Sequence, residues 1–153
     1  MTHPKETNRT LLFRFRDSDQ KEPLQLRLIP LSRALQSDVV KVDVKHKSMR
    51  MRYQAGEEFL QMREVIQGGI VATMLDFTIA FVSMAVIGDD KVVATASLNV
   101  SYLKPAKTGG YFCDAVVERA GRTLVFVRAS LIPEQGGDPV ATATAVMAVS
   151  SAV

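Results

Sequence analysis

Twenty consecutive residues, Gly68 to Ile87, carry a single charge, Asp76, and no proline. The run is too long for a strand. As a helix it is apolar on all sides, so it has to be covered on nearly every side. Gly68-Gly69 at its start and Gly88-Asp89-Asp90 at its end mark its limits. The length would suit a bilayer crossing. A carboxylate near the centre of such a span costs about 2.5–3.5 kcal/mol, however, and strand-like stretches flank the run on both sides. The expected arrangement is a sheet wrapped around this helix in water, with no membrane.

The flanking sequence supplies that sheet. Between Asp38 and Tyr53, Val40, Val42, Val44, Met49 and Met51 alternate with polar residues around His46-Lys47-Ser48, the pattern of a two-stranded hairpin. After the helix come strands over 92–103, 111–118, 123–132 and 140–149, separated by turns rich in Gly and Pro. In the first of these, Thr95, Ser97, Asn99 and Ser101 fall on one face and Ala94, Ala96, Leu98, Val100 and Tyr102 on the other. The fold class is therefore α+β: an antiparallel sheet of about six strands around one long central helix. Residues 1–36 read as an N-terminal extension and 37–153 as the domain. Within the extension, Leu11, Phe13 and Phe15 alternate with Arg14 and Arg16, which predicts a short strand. Pro30 to Leu35 predicts a brief helix with proline at its start.

Composition excludes several classes. The chain has 153 residues and a net charge of only +3, too little to argue for nucleic acid. The charge is uneven: residues 1–63 carry 13 basic and 8 acidic groups, the remainder 6 and 8. One cysteine, Cys113, forbids an internal disulfide, and with two histidines it leaves too few ligands for a zinc site, so no metal is expected. Cys113 is expected in a strand core. His3 and His46 sit in a chain end and a turn, where neither makes a convincing base. The first residues lack the apolar run of a secretory leader, so the cytoplasm is the expected compartment. No Gly-x-Ser-x-Gly elbow or phosphate-binding loop is present.

A lone carboxylate on an apolar helix needs hydrogen-bond partners, a proton or a solvent-filled cleft, which makes Asp76 the leading site candidate. Upstream, Gln67-Gly68-Gly69 opens the helix at the positive end of its dipole, where backbone amides lack helical partners. Glycine lets an acyl group approach those amides, which suits a carbonyl oxygen gaining negative charge. Gly69 and Asp76 lie on one helix face but about 10.5 Å apart along the axis. One helix cannot bring both to one carbonyl, whereas a second copy related by a two-fold axis can.

The run Gln67-Gly-Gly-Ile-Val-Ala-Thr-Met-Leu-Asp76 resembles the helix start of hotdog-fold thioesterases of the phenylacetic-acid-degradation (PaaI-like) type. Thr95 to Gly109, with its Lys104-Pro-Ala-Lys-Thr-Gly turn, and Val117 to Val127 are similar to the strand, turn and hairpin that follow in that family. The resemblance spans about residues 37–149. It implies a hotdog fold, a dimer with a continuous sheet, often a tetramer built as a pair of dimers, and hydrolysis of an acyl-CoA or related thioester. CoA enters as part of the substrate, and no separate cofactor is implied. In this reading the Gly69 amide polarises the carbonyl, Asp76 of the partner chain acts as nucleophile or as general base for water, and Thr95 helps position that water.

Two positions depart from the family pattern. Its usual histidine is Gln67, and an asparagine six residues earlier is Gln61. Glutamine still donates a hydrogen bond but carries no proton at neutral pH. A non-catalytic acyl-CoA- or lipid-binding hotdog protein is therefore the alternative, and a dehydratase, which needs a histidine beside its acid, ranks below it. Gly68 and Gln61 are expected to contact substrate. Lys104, Lys107 and Arg122, in or beside turns, are candidates for CoA phosphates. Phe77, like Phe81 and Met84, is assigned to an acyl pocket or to the core.

Overall fold

The computed structural model describes residues 6–62 and 64–152; His3 lies outside them. The apolar run forms one helix, α3 (Gly68–Ile87), with Gln67 as N-cap and Gly88 as C-cap. Gly88 adopts φ +103°, a conformation that favours glycine and stops the helix there.

Six long strands pair antiparallel around it: β2 (Asp38–Asp43), β3 (Ser48–Ala55), β4 (Lys91–Tyr102), β5 (Gly109–Ala120), β6 (Leu124–Pro133) and β7 (Ala141–Ser151). A two-residue β1 (Leu24–Gln25) pairs with β2 and brings the sheet to seven strands, in the order β1-β2-β3-β5-β6-β7-β4. Alternation dictates the inner face. Met49, Met51, Tyr53 and Ala55 of β3, Tyr111, Cys113, Ala115 and Val117 of β5, and Ala141, Ala143, Ala145 and Met147 of β7 are all buried. They cover Val71, Met74, Leu75, Thr78, Ile79 and Val82 of α3. This is the hotdog arrangement of α+β class that the resemblance implies, with β1 as the strand not foreseen.

The segment before residue 37 packs onto this unit. Leu11 to Arg16 is not a strand but part of a helix, α1 (Asn8–Arg16). Thr7 caps it, its side chain accepting from the Thr10 amide while the Thr10 hydroxyl accepts from the Thr7 amide. Leu12 and Phe15, three residues apart, are the buried pair. Arg9 donates to the carbonyls of Asp89 and Lys91, and Arg16 pairs with Asp89 at 2.9 Å, so cations meet the carbonyl end of α3. The brief helix α2 (Pro30–Ala34) has Pro30 at its first position, as its sequence predicts.

One chain does not cover α3 on every side. Gly69 is exposed, and Thr73, Asp76, Phe77, Ala80, Met84 and Ile87 are only half-buried, a stripe at helical spacing turned away from the sheet. Beside it runs β4, a twelve-residue strand that among the described residues is bonded only to β7, leaving its other edge open.

Candidate active site

Asp76 lies on that uncovered stripe. Its Oδ1 accepts a 2.8 Å hydrogen bond from the Thr95 hydroxyl of the same chain. Strict alternation would put Thr95 with Ser97, Asn99 and Ser101 on the outer face. The register with β7 shifts instead, Thr95 opposing Met147 and Ser97 opposing Val146, so Ala96 is an extra residue in a β-bulge. The bulge places Thr95 on the helix side with Val93, Leu98, Val100 and Tyr102, and the outward set begins at Ser97.

The helix start opens on a crevice of about 610 Å³ lined by Gln61, Val65, Gly68, Gly69, Tyr102 and Leu103 and by the stretch 104–106. Its walls are tied in place by backbone bonds: Ile66 donates to the Ala106 carbonyl at 2.7 Å, Gln67 to Phe59 at 2.9 Å and Gln61 to Val65 at 2.9 Å. The first helical bonds into the Gln67 carbonyl come from Ile70 and Val71. Among the described residues no hydrogen bond uses the amide of Gly68 or Gly69, so both remain available at the positive end of a twenty-residue helix. The exposed Gln67 side chain makes no capping bond.

The two glycines lack side chains for different reasons. A Cβ on Gly68 would lie 3.3 Å from three atoms of the Tyr102 ring and hydroxyl, tighter than ordinary van der Waals contact, whereas one on Gly69 would meet no atom of the described residues within 4 Å. Among the described residues, nothing in the packing calls for glycine at 69. The space it leaves belongs to the crevice.

The remaining candidates divide. Lys104 reaches the crevice and also pairs with Asp138 at 2.7 Å. Lys107 lies with it in an adjoining hollow of about 270 Å³ that includes Gly136, Gly137 and Asp138. Arg122 is exposed in the β5–β6 turn, next to the stretch where Thr123 accepts from Val149, itself opposite Val93. That is about 30 Å along β4 from Tyr102, so a single chain does not bring Arg122 to the two lysines. Phe77 is on the uncovered stripe and meets the buried Phe81 edge-on at 6.3 Å, which assigns Phe81 to the core. Asp76 and Thr95 do not line the crevice. In the sequence Tyr102 was legible only as a strand residue sharing a face with Leu98 and Val100. Its hydroxyl donates to the Gly68 carbonyl at 2.8 Å.

Cys113 is fully buried, and burial pushes its thiol up to about 12, which removes it as a nucleophile. Tyr53, buried beneath α3, hydrogen-bonds Thr78 at 2.9 Å, and desolvation holds its phenol far above the usual range. Among the described residues no three of His, Cys, Asp and Glu cluster as metal ligands.

The sequence model of the thioesterase superfamily matches residues 64–140, half of the chain. Among solved structures, a protein of Ralstonia eutropha JMP134 described as a thioesterase related to phenylacetic acid degradation is 33% identical. That match covers 78% of this chain and 90% of the other, with a TM-score of 0.74. A thioesterase family protein of Silicibacter pomeroyi has 21% identity over 81% and 91% of the two chains, with a TM-score of 0.74. A protein of Streptococcus mutans, solved bound to acetyl CoA, has 22% identity over 75% and 89%, with a TM-score of 0.67. These last two speak to the fold alone. A comparison with functionally curated proteins found no match.

Proposed function

The chain belongs to the thioesterase superfamily, and from that premise we propose that it hydrolyses an acyl-CoA thioester in a crevice shared by two protomers. The observation that carries this reading is the pairing of two unbonded glycine amides on an open crevice with one half-buried carboxylate on the same helix face. Within one chain about 10.5 Å of helix separates them. Pairing the open edge of β4 with β4 of a second copy, about a two-fold axis, covers the exposed stripe of α3 and removes a long free strand edge. It also sets Asp76 of one protomer toward the glycine amides of its partner. A tetramer of two such dimers and a cytoplasmic location belong to the same proposal.

In the reaction the thioester carbonyl oxygen accepts from the Gly69 amide, and Gly68 lines the approach. The negative charge gathering on that oxygen is held by the helix start, an arrangement preorganised before substrate arrives. Asp76, one oxygen fixed by Thr95, uses the other to take a proton from water as it attacks, or adds to the carbonyl itself. On the water route the CoA thiolate leaves and takes the proton from Asp76. On the nucleophile route it leaves and is protonated by solvent, and water then hydrolyses the acyl-aspartyl anhydride, freeing the acid and restoring the carboxylate. No metal or cofactor takes part. Gln67 and Gln61 offer amide donors to the acyl end, Phe77 lines the acyl side, and Lys104 and Lys107 meet CoA phosphates. Arg122 reaches them only from another protomer.

The binding-only alternative draws on Gln67, which cannot carry a proton at neutral pH. A panel of short, long and aryl acyl-CoA esters assayed for free thiol separates the two. Hydrolysis above the blank that falls about 100-fold or more in Asp76→Asn, with ester binding retained, supports the enzyme. Equal rates for blank, wild type and variant support the binder.

A further inference from the structure

The start of α3 is braced from two sides. On one side the Ile66 amide bonds to the Ala106 carbonyl, and on the other the Tyr102 hydroxyl bonds to the Gly68 carbonyl. The tyrosine reaches from a firm base: Tyr102 pairs with Ala141 of β7, and the next two amides, Leu103 and Lys104, both donate to Val140 at 2.8 and 3.1 Å. Its ring lies on the face of Gly68 that a Cβ would occupy. Among the described residues it is the one side chain outside α3 that hydrogen-bonds the first helical turn.

We propose that Tyr102 is a positioning residue of the thioester site: by holding the Gly68 carbonyl against the end of β4, its hydroxyl fixes the direction in which the Gly68 and Gly69 amides enter the crevice. This rests on the reading above that the Gly69 amide receives the carbonyl oxygen while Gly68 lines the approach. The Gly68 carbonyl already accepts the Ala72 amide as its helical partner. The second bond, from Tyr102, acts across the helix axis and limits rotation of the whole turn. Amides meant to stabilise an oxyanion need their direction set in advance, and a misplacement of about 1 Å costs as much as 100-fold in rate. Gly68 is then glycine so that the ring can lie close enough to reach its carbonyl.

Tyr102→Phe keeps the ring and removes only the hydroxyl. The expected result is a kcat lower by about ten-fold with KM within about two-fold of wild type and an unfolding midpoint within about 2 °C. Exchange of the Ala72 amide proton, followed by NMR, should quicken in the same variant. A kcat matching wild type, or a raised KM with kcat unchanged, overturns the proposal, since Tyr102 would then be no more than a wall. Gly68→Ala, which pushes the ring away, should reproduce the loss of kcat, and a fully active Gly68→Ala contradicts the brace. If wild type releases no thiol from any ester, it is the functional reading that fails. Ala72 exchange then judges the brace alone, and identical exchange in Tyr102→Phe and wild type refutes it.

Discussion

Replacing Gly69 with alanine should move stability and activity in opposite directions. A methyl there meets no atom of the described residues within 4 Å, and the backbone is already helical. Alanine is favoured over glycine inside a helix by up to about 1 kcal/mol. In a domain of this size that raises the melting temperature by about 2–4 °C, less if the first turn realises only part of the preference. The same methyl stands beside the amide that a carbonyl oxygen has to approach to hydrogen-bond distance. Losing one donor of this kind costs about 100- to 1000-fold in kcat. Thermal melting and thiol release on one preparation measure both, with light scattering to show that the assembly has not changed. A variant that is stabilised and fully active would refute the reasoning, because the space at Gly69 would then have no occupant. A destabilised variant would show that another chain already fills it.

Other consequences concern the rest of the molecule. Leu12 of α1 is fully buried, and Leu12→Ala should cost about 2–5 kcal/mol in urea unfolding; a negligible change would show that residues 8–16 are dispensable to the domain. Cys113 should resist a thiol reagent at pH 8 in the native protein and react on unfolding, and rapid labelling of the folded protein would contradict its burial. The Arg52 guanidinium, 2.7 Å from Glu134, holds that carboxyl below its ordinary value of 4.5. A lowered carboxyl stabilises the fold above its unfolded value and loses that contribution as pH falls through the folded one. Glu134→Gln should therefore be less stable than wild type at pH 7, with the difference closing below pH 4.5 and shrinking in high salt; a difference that is constant with pH would exclude the pair as its source.

The central helix was readable to the residue because its signals agree: an unbroken apolar run, glycines at both ends, and too much length for a strand. The strands were readable from alternation and turn residues for the same reason. What the sequence hid depends on pairing between distant segments. Leu11 to Arg16 matches a two-residue period as well as a helix, and the choice falls to Leu12 and Phe15 meeting the body of the fold and to the Thr7–Thr10 cap. Thr95 changes faces because β7 pairs around Ala96, a shift that no local pattern in β4 records. Asp76, Gly68 and Gly69 stood out as departures, a charge and two glycines where an apolar helix needs neither. Tyr102 looked like any strand aromatic until the crossing of β4 over the helix start gave its hydroxyl a partner. The distance between Arg122 and the two lysines follows from which end of the sheet each turn occupies, which spacing alone does not fix.

The shared site is tested most directly by mixing two inactive chains, one carrying Gly69→Ala and the other Asp76→Asn. In a mixed dimer one crevice combines the intact helix start of the second chain with the intact carboxylate of the first, and the other crevice is doubly impaired. Random association makes half the dimers mixed, so co-expression should restore about a quarter of wild-type thioester hydrolysis. A mixture no more active than its two components would mean that each chain works alone, and the proposed pairing of Asp76 with the partner's glycine amides would be wrong.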